Sequence, residues 1–120
     1  MRRIVLSAVA AVALGGAGAA QAQDLSAAFG NTVISTYPDG GTVRHFFDPN
    51  GAYRALWSDG RELTGQWSLD GDRVCLSRMR PVMLPFGRFC TALVSANIGE
   101  SWQSRDPLGR WVRNQLVRGR

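Results

Sequence analysis

Glu62-Leu63-Thr64-Gly65-Gln66-Trp67-Ser68-Leu69 alternates without a break. Leu63, Gly65, Trp67 and Leu69 fall on one side of an extended chain, and Glu62, Thr64, Gln66 and Ser68 fall on the other. A period of two is that of a β-strand with one buried and one wet face. Turn chemistry brackets this stretch and recurs along the chain. Pro38-Asp39-Gly40-Gly41, Asp48-Pro49-Asn50-Gly51, Ser58-Asp59-Gly60, Asp70-Gly71 and Asp106-Pro107-Leu108-Gly109 supply Pro to preset φ, or Gly and Asn to accept a positive φ. The runs between them are rich in Thr, Val, Phe, Tyr and Trp. Strands are predicted over 31–36, 42–47, 52–57, 62–69, 73–78, 88–94, 100–105 and 111–118.

Short strands joined by tight turns describe an all-β fold, a single antiparallel up-and-down meander of about eight strands. Closure into a small barrel or curled half-barrel is expected, because an open sheet leaves two unprotected edges. A two-sheet sandwich is the alternative. Ahead of the meander (31–120), the lead segment 23–30 contains Asp24-Leu-Ser-Ala-Ala-Phe29. It reads as a helical turn capped by Asp24 or Ser26 and ended by Gly30.

Parity assigns the inner face. Tyr53, Ala55 and Trp57 point inward with Arg54 outward, as do Val74 and Leu76, then Phe89 and Leu93. Cys75 and Cys90 therefore share the outer face, and folding 73–78 onto 88–94 sets the two sulfurs opposite each other. An even cysteine count in a small exported domain reads as a disulfide. Closing a loop of about 16 residues is worth roughly 3 kcal/mol by chain entropy. Two Cys and one distant His do not complete a zinc shell. Phe46-Phe47 and Trp111-Val112 break the alternation, so a bulge re-aims one member of each pair or something covers the outer face. Leu25 and Phe29 are candidates for a cover or plug. Bulky inward Trp and Tyr are expected to leave little room for a cavity.

The start of the chain reads as a leader. Arg2-Arg3, the apolar run Ile4 to Leu14, and the small-residue stretch ending Ala20-Gln21-Ala22 follow the order of a secretory signal, with cleavage expected after Ala22. The apolar run is too short to span a bilayer, and no later run approaches that length. The product is expected to be periplasmic or secreted, without a transmembrane segment. All fourteen basic residues are Arg; two lie in the leader, so the part after Ala22 has 12 basic and 9 acidic residues, and its charge of +3 falls short of a nucleic-acid footprint.

Catalytic and metal signatures are missing from the pattern, and no cofactor is expected. His45, the single histidine, shares a strand face with Val43 and Phe47 and reads as a packed or rim residue. A general base needs a nucleophile and an orienting carboxylate, and no local motif places either. Asp39, Asp48, Asp59, Asp70, Asp72 and Asp106 sit mainly in turns, where carboxylates cap their own backbone. Asp70-Gly71-Asp72 lacks the further oxygens of a calcium loop.

The segment between the two Cys is the unusual one. Arg78, Met79, Arg80, Val82, Met83, Leu84, Phe86 and Arg88 give an apolar centre with arginines at its base, stiffened by Pro81 and Pro85. Loops are normally polar, so this one is either a lid over a barrel mouth or an interaction surface. An apolar tip with a basic collar suits an acidic protein cleft or peripheral contact with lipid headgroups.

A signal, a strand meander, the Gly65-Gln66-Trp67 strand and one disulfide together resemble, in general plan, small periplasmic inhibitors of proteases and lysozymes. The resemblance implies a non-enzymatic exported module that binds a protein or envelope component. No inhibitory residue of that family maps onto this chain. A small barrel carrying an apolar ligand is the competing reading, and an internal cavity of a few hundred cubic ångströms distinguishes it.

Overall fold

The structure, a computed structural model, describes residues 25–82 and 87–120. The leader and its cleavage point lie outside the described residues, as do Asp24 and Met83, Leu84, Pro85 and Phe86 of the long loop.

Eight antiparallel strands form one sheet: β1 (Thr32–Thr36), β2 (Thr42–Phe47), β3 (Ala52–Trp57), β4 (Glu62–Asp70), β5 (Arg73–Arg80), β6 (Arg88–Ala92), β7 (Ser101–Arg105) and β8 (Trp111–Val117). Their spatial order is β6-β5-β4-β3-β2-β1-β8-β7. Each strand pairs with its chain neighbour except β6 and β7, and β8 returns to pair with β1. The result is an up-and-down barrel, nearly closed, with one seam between β6 and β7. The Asx chemistry of the turns is as expected. Gly41 N–H donates to Asp39 Oδ1 at 2.9 Å, Ala52 N–H to Asn50 Oδ1 at 3.0 Å, and Arg61 N–H to Asp59 Oδ1 at 3.0 Å.

Inward parity holds along most of the sheet. Val43, Phe47, Tyr53, Ala55, Leu63 and Val74 are buried in a single apolar cluster. Leu69, expected inside, is 41% exposed because it lies at the far end of β4, past the interior. β6 is shorter than predicted and stops at Ala92. β5 is longer than predicted, because its register against β4 slips between Thr64 and Gly65-Gln66. Arg78 and Met79 together face Gly65, and Arg78 takes a left-handed backbone with φ of 54°. This bulge turns Met79 into the interior, where it is buried rather than standing in the loop. A Cβ on Gly65 would collide with the Met79 sulfur and stand 2.9 Å from the Ser77 carbonyl oxygen. The crowding that requires glycine here thus comes from a thioether and a backbone carbonyl.

Of the two doubled apolar pairs, the first is resolved by covering and the second leaves Trp111 half-exposed. β2 and β3 pair in unbroken register, so Phe47 faces in and Phe46 faces out. Phe46 is nevertheless buried. The Arg54 guanidinium lies 4.5 Å from its ring centroid and that of Arg120 lies 5.3 Å away. Arg120 is fixed there by Asp48 Oδ1 at 2.7 Å and the Phe47 carbonyl at 2.9 Å. On β8, Val112 faces in, and Trp111 lies outside beneath Arg105 at 4.3 Å. The lead segment forms a 3-10 turn, Ser26–Ala28, without a side-chain cap. Gly30 ends it at a φ of +76°. It acts as a plug: Leu25, Ala28 and Phe29 pack on the interior cluster, with Phe29 5.9 Å from Trp67.

Cys75 and Cys90 are paired in register and joined by a disulfide. The bond lies on the outer face, yet Cys75 has no exposed surface. Asp70 on β4 reaches Arg88 on β6 at 3.3 Å, so this ion pair spans β5 on the face that carries the disulfide. Removing both sulfurs by Cys75→Ser, Cys90→Ser is expected to cost about 2 to 3 kcal/mol, because a compact denatured state already spends part of the loop entropy. Urea unfolding of the double variant checks this, and an unchanged midpoint would show that the staple contributes nothing.

Candidate functional site

Strand direction divides the connections between two ends. The β2–β3, β4–β5 and β6–β7 connections lie at one end with the plug. The β1–β2, β3–β4, β5–β6 and β7–β8 connections lie at the other. Between them the interior holds a cavity of about 410 Å³. The expectation of a filled interior is therefore corrected. The plug closes one end, the small side chains Ser35, Thr91 and Ser104 line the wall beside the larger ones, and the unpaired seam widens the sheet.

The wall is largely apolar, with Val43, Phe47, Leu63, Val74, Leu76 and Phe89 among its members. One polar file crosses it. Tyr53 O–H donates to His45 Nδ1 at 2.6 Å, and His45 Nε2 meets Ser35 Oγ at 2.8 Å. Ser35 O–H donates to Asn114 Oδ1 at 2.6 Å, and Asn114 Nδ2 donates to Ser104 Oγ at 2.9 Å. The five residues stand one each on β3, β2, β1, β8 and β7, successive neighbours in the sheet. Ser35 and Asn114 are direct cross-strand partners. The other steps are diagonals, which long side chains bridge readily.

The proton arrangement follows from one fact. Ser35 has a single proton and gives it to Asn114, so it must accept from His45 Nε2–H, which leaves Nδ1 as the acceptor for Tyr53. The ring is the neutral Nε2–H tautomer. Burial lowers the His45 pKa to about 4. Burial, with the Tyr37 hydroxyl as a lesser cause, raises that of Tyr53 above the ordinary phenol value. Part of the His45 surface bounds the cavity itself.

At the open end Asp106 is the centre of a second cluster. It accepts from Tyr37 O–H at 3.1 Å, Arg110 Nε at 2.8 Å, and the backbone N–H of Leu108 and Arg110. Burial would raise its pKa, but the Arg110 amide and guanidinium with the Tyr37 hydroxyl outweigh it and hold the carboxyl below the usual range. The Arg110 guanidinium also lies 5.0 Å from the Tyr37 ring. Leu108 projects at this rim and is exposed.

The loop residues singled out from the sequence are distributed differently. Met79 is inside, while Val82 is 79% exposed and Arg80 is exposed at the end of β5. Arg78 occupies the bulge. Arg88 leans onto Asp70 and away from the loop. Met83, Leu84 and Phe86 lie outside the described residues. His45 is a packed residue, as expected. The hydroxyl beside it, Ser35, was not indicated by any local motif; polar residues at inward parity in β1, β7 and β8 were the available signal. Among the described residues no group of three or more metal-ligating side chains gathers, and no helix is long and apolar enough to cross a membrane.

The fold and site define an up-and-down barrel with an apolar cavity threaded by a polar file. Comparison with family models, curated proteins and solved structures finds no match to this chain.

Proposed function

We propose that this protein is a small exported barrel that binds an apolar small molecule in its interior and performs no chemistry on it. The cavity of about 410 Å³ carries the reading. It falls in the range of roughly 300 to 1,000 Å³ usual for small-molecule sites, and it has their character of apolar walls with a few placed polar groups. Export is inferred from the order of charge, apolar run and Ala-x-Ala in the leader, with which the Cys75–Cys90 disulfide is consistent. The cavity favours this reading over that of a protein-binding module. That alternative rests on the 79–87 segment, whose Met79 is committed to the interior.

The Ser35–His45 contact does not argue for catalysis. An activated serine gives its proton to the imidazole, and a carboxylate then stabilises the imidazolium that forms. Here the Ser35 proton goes to Asn114, the partner of Nδ1 is a phenol, and burial makes the imidazole a weak base.

An uncharged, environment-sensitive naphthylamine dye tests the proposal. Saturable one-to-one fluorescence enhancement is expected. Leu76→Trp, which adds bulk to the cavity wall, is expected to weaken binding at least ten-fold while the protein stays folded by circular dichroism. Dye binding that ignores this substitution would place the dye on the surface and remove the proposal's support.

A further inference from the structure

The donors and acceptors of the polar file do not balance, and the imbalance lies on the cavity wall. Each step from Tyr53 to Asn114 passes a proton in the same direction, and the file ends at Ser104. Ser104 accepts from Asn114, so its own hydroxyl proton has no acceptor among the described residues. The Asn114 amide nitrogen carries two protons and spends one on Ser104. Its second is likewise without an acceptor among the described residues, although Asn114 is only 5% exposed. Both side chains bound the cavity, and Thr91 on β6 adds a third hydroxyl across the seam. A buried donor such as the second Asn114 proton finds a partner in native proteins, and the cavity that Asn114 and the half-buried Ser104 both bound is the place for it.

No charge inside matches an ionised ligand. The cations at the open end are already held. Arg61 is bound by Asp59 at 2.9 Å, Arg110 by Asp106, and Arg105 by the Gly109 carbonyl at 3.1 Å with the Trp111 ring beneath it. Asp106, the one carboxylate among the residues that line the cavity, has its oxygens filled by Tyr37, Leu108 and Arg110. An ammonium ligand would find no free anion among the lining residues, and the one lining cation without an anionic partner, Arg105, is turned to the outer face over Trp111.

Resting on the reading of the cavity as a ligand site, we infer that its ligand is an uncharged apolar molecule bearing a carbonyl-type oxygen, which accepts hydrogen bonds from Ser104 and Asn114. A ketone or ester oxygen takes two donors at once, and its apolar remainder lies along the Val43, Leu63 and Leu76 side of the wall. The ligand oxygen would stand where water otherwise meets such donors.

Displacement of the naphthylamine dye by four probes of one chain length tests this: decan-2-one, methyl decanoate, decanoate and decylammonium at neutral pH. The ketone and ester are expected to bind at least ten-fold more tightly than either ion. Ser104→Ala, with dye affinity measured on the variant itself, is expected to weaken the ketone about five-fold, as loss of one neutral hydrogen bond does. Ser104→Thr, which keeps a hydroxyl, is expected to restore the ketone. Equal or tighter binding of decanoate, or ketone affinity that Ser104→Ala does not move, overturns the inference while dye binding keeps the ligand-site reading intact. Failure of the dye and all four probes to bind overturns both.

Discussion

Trp67→Ala is expected to lower the stability of the folded protein by about 3 to 5 kcal/mol, the range for deleting a packed aromatic. The indole sits where the plug meets the barrel. Its ring is 5.9 Å from Phe29 and 6.5 Å from Phe47, and its Nε1–H donates to the Asp48 carbonyl at 2.8 Å. Its backbone N–H donates to the Gly51 carbonyl at 2.9 Å, so the residue ties β4 to the β2–β3 turn twice. Alanine keeps only the backbone tie. Phe29 and Phe47 then border a cavity that the plug must collapse to fill, and the Asp48 carbonyl loses its donor. Trp67→Phe separates the contributions. It keeps most of the ring contact and loses the indole hydrogen bond, which is expected to cost about 1 kcal/mol. Urea midpoints of the two variants measure both effects. Near-native stability of Trp67→Ala would mean that the plug does not bear on the barrel.

Alternation in Glu62–Leu69 and the turn sequences on either side of it were enough to place the strands, because period-two burial and positive-φ turns are local properties. Parity also brought Cys75 and Cys90 together, since a one-residue slip would have put one sulfur inside and one outside. Met79 was misplaced for a physical reason. A bulge inserts a residue without changing composition, and Arg78 carries no glycine to mark the left-handed position it adopts. The covering of Phe46 was equally hidden, because its partner Arg120 lies far along the chain. The cavity and its polar file are non-local in the same sense. Ser35, Asn114 and Ser104 are ordinary strand residues until the β1–β8 pairing sets Ser35 against Asn114. Inward parity of these polar residues in β1, β7 and β8, which was not assigned from the sequence, was the one clue the chain offered.

The polar file makes the barrel sensitive to acid through a single ring. His45 titrates at about 4 in the folded protein because burial disfavours its charged form, whereas an unfolded histidine titrates near 6.5. Between those values the unfolded chain binds more protons than the folded one, so stability rises with pH across this window. The contribution is fully present above about pH 6.5 and is lost as pH falls towards 4. A difference of about 2.5 in pKa corresponds to about 3 kcal/mol. The neighbouring groups do not cancel the effect. Tyr53 is held neutral by its raised pKa, and Tyr37 is raised in the same direction. Asp106 stays ionised through the window because Arg110 and Tyr37 hold its pKa down, so its own loss of stability falls at lower pH. Protonation of His45 Nδ1 would also set its new proton against the Tyr53 O–H, forcing that hydroxyl to turn and give up its acceptor. His45→Gln removes the titrating group. The stability difference between the native protein and this variant, from urea unfolding at pH 4, 5.5 and 7.5, is expected to grow by about 3 kcal/mol from the lowest pH to the highest. A difference that stays flat across the series would mean that water reaches the ring freely, and that the file does not hold the imidazole neutral.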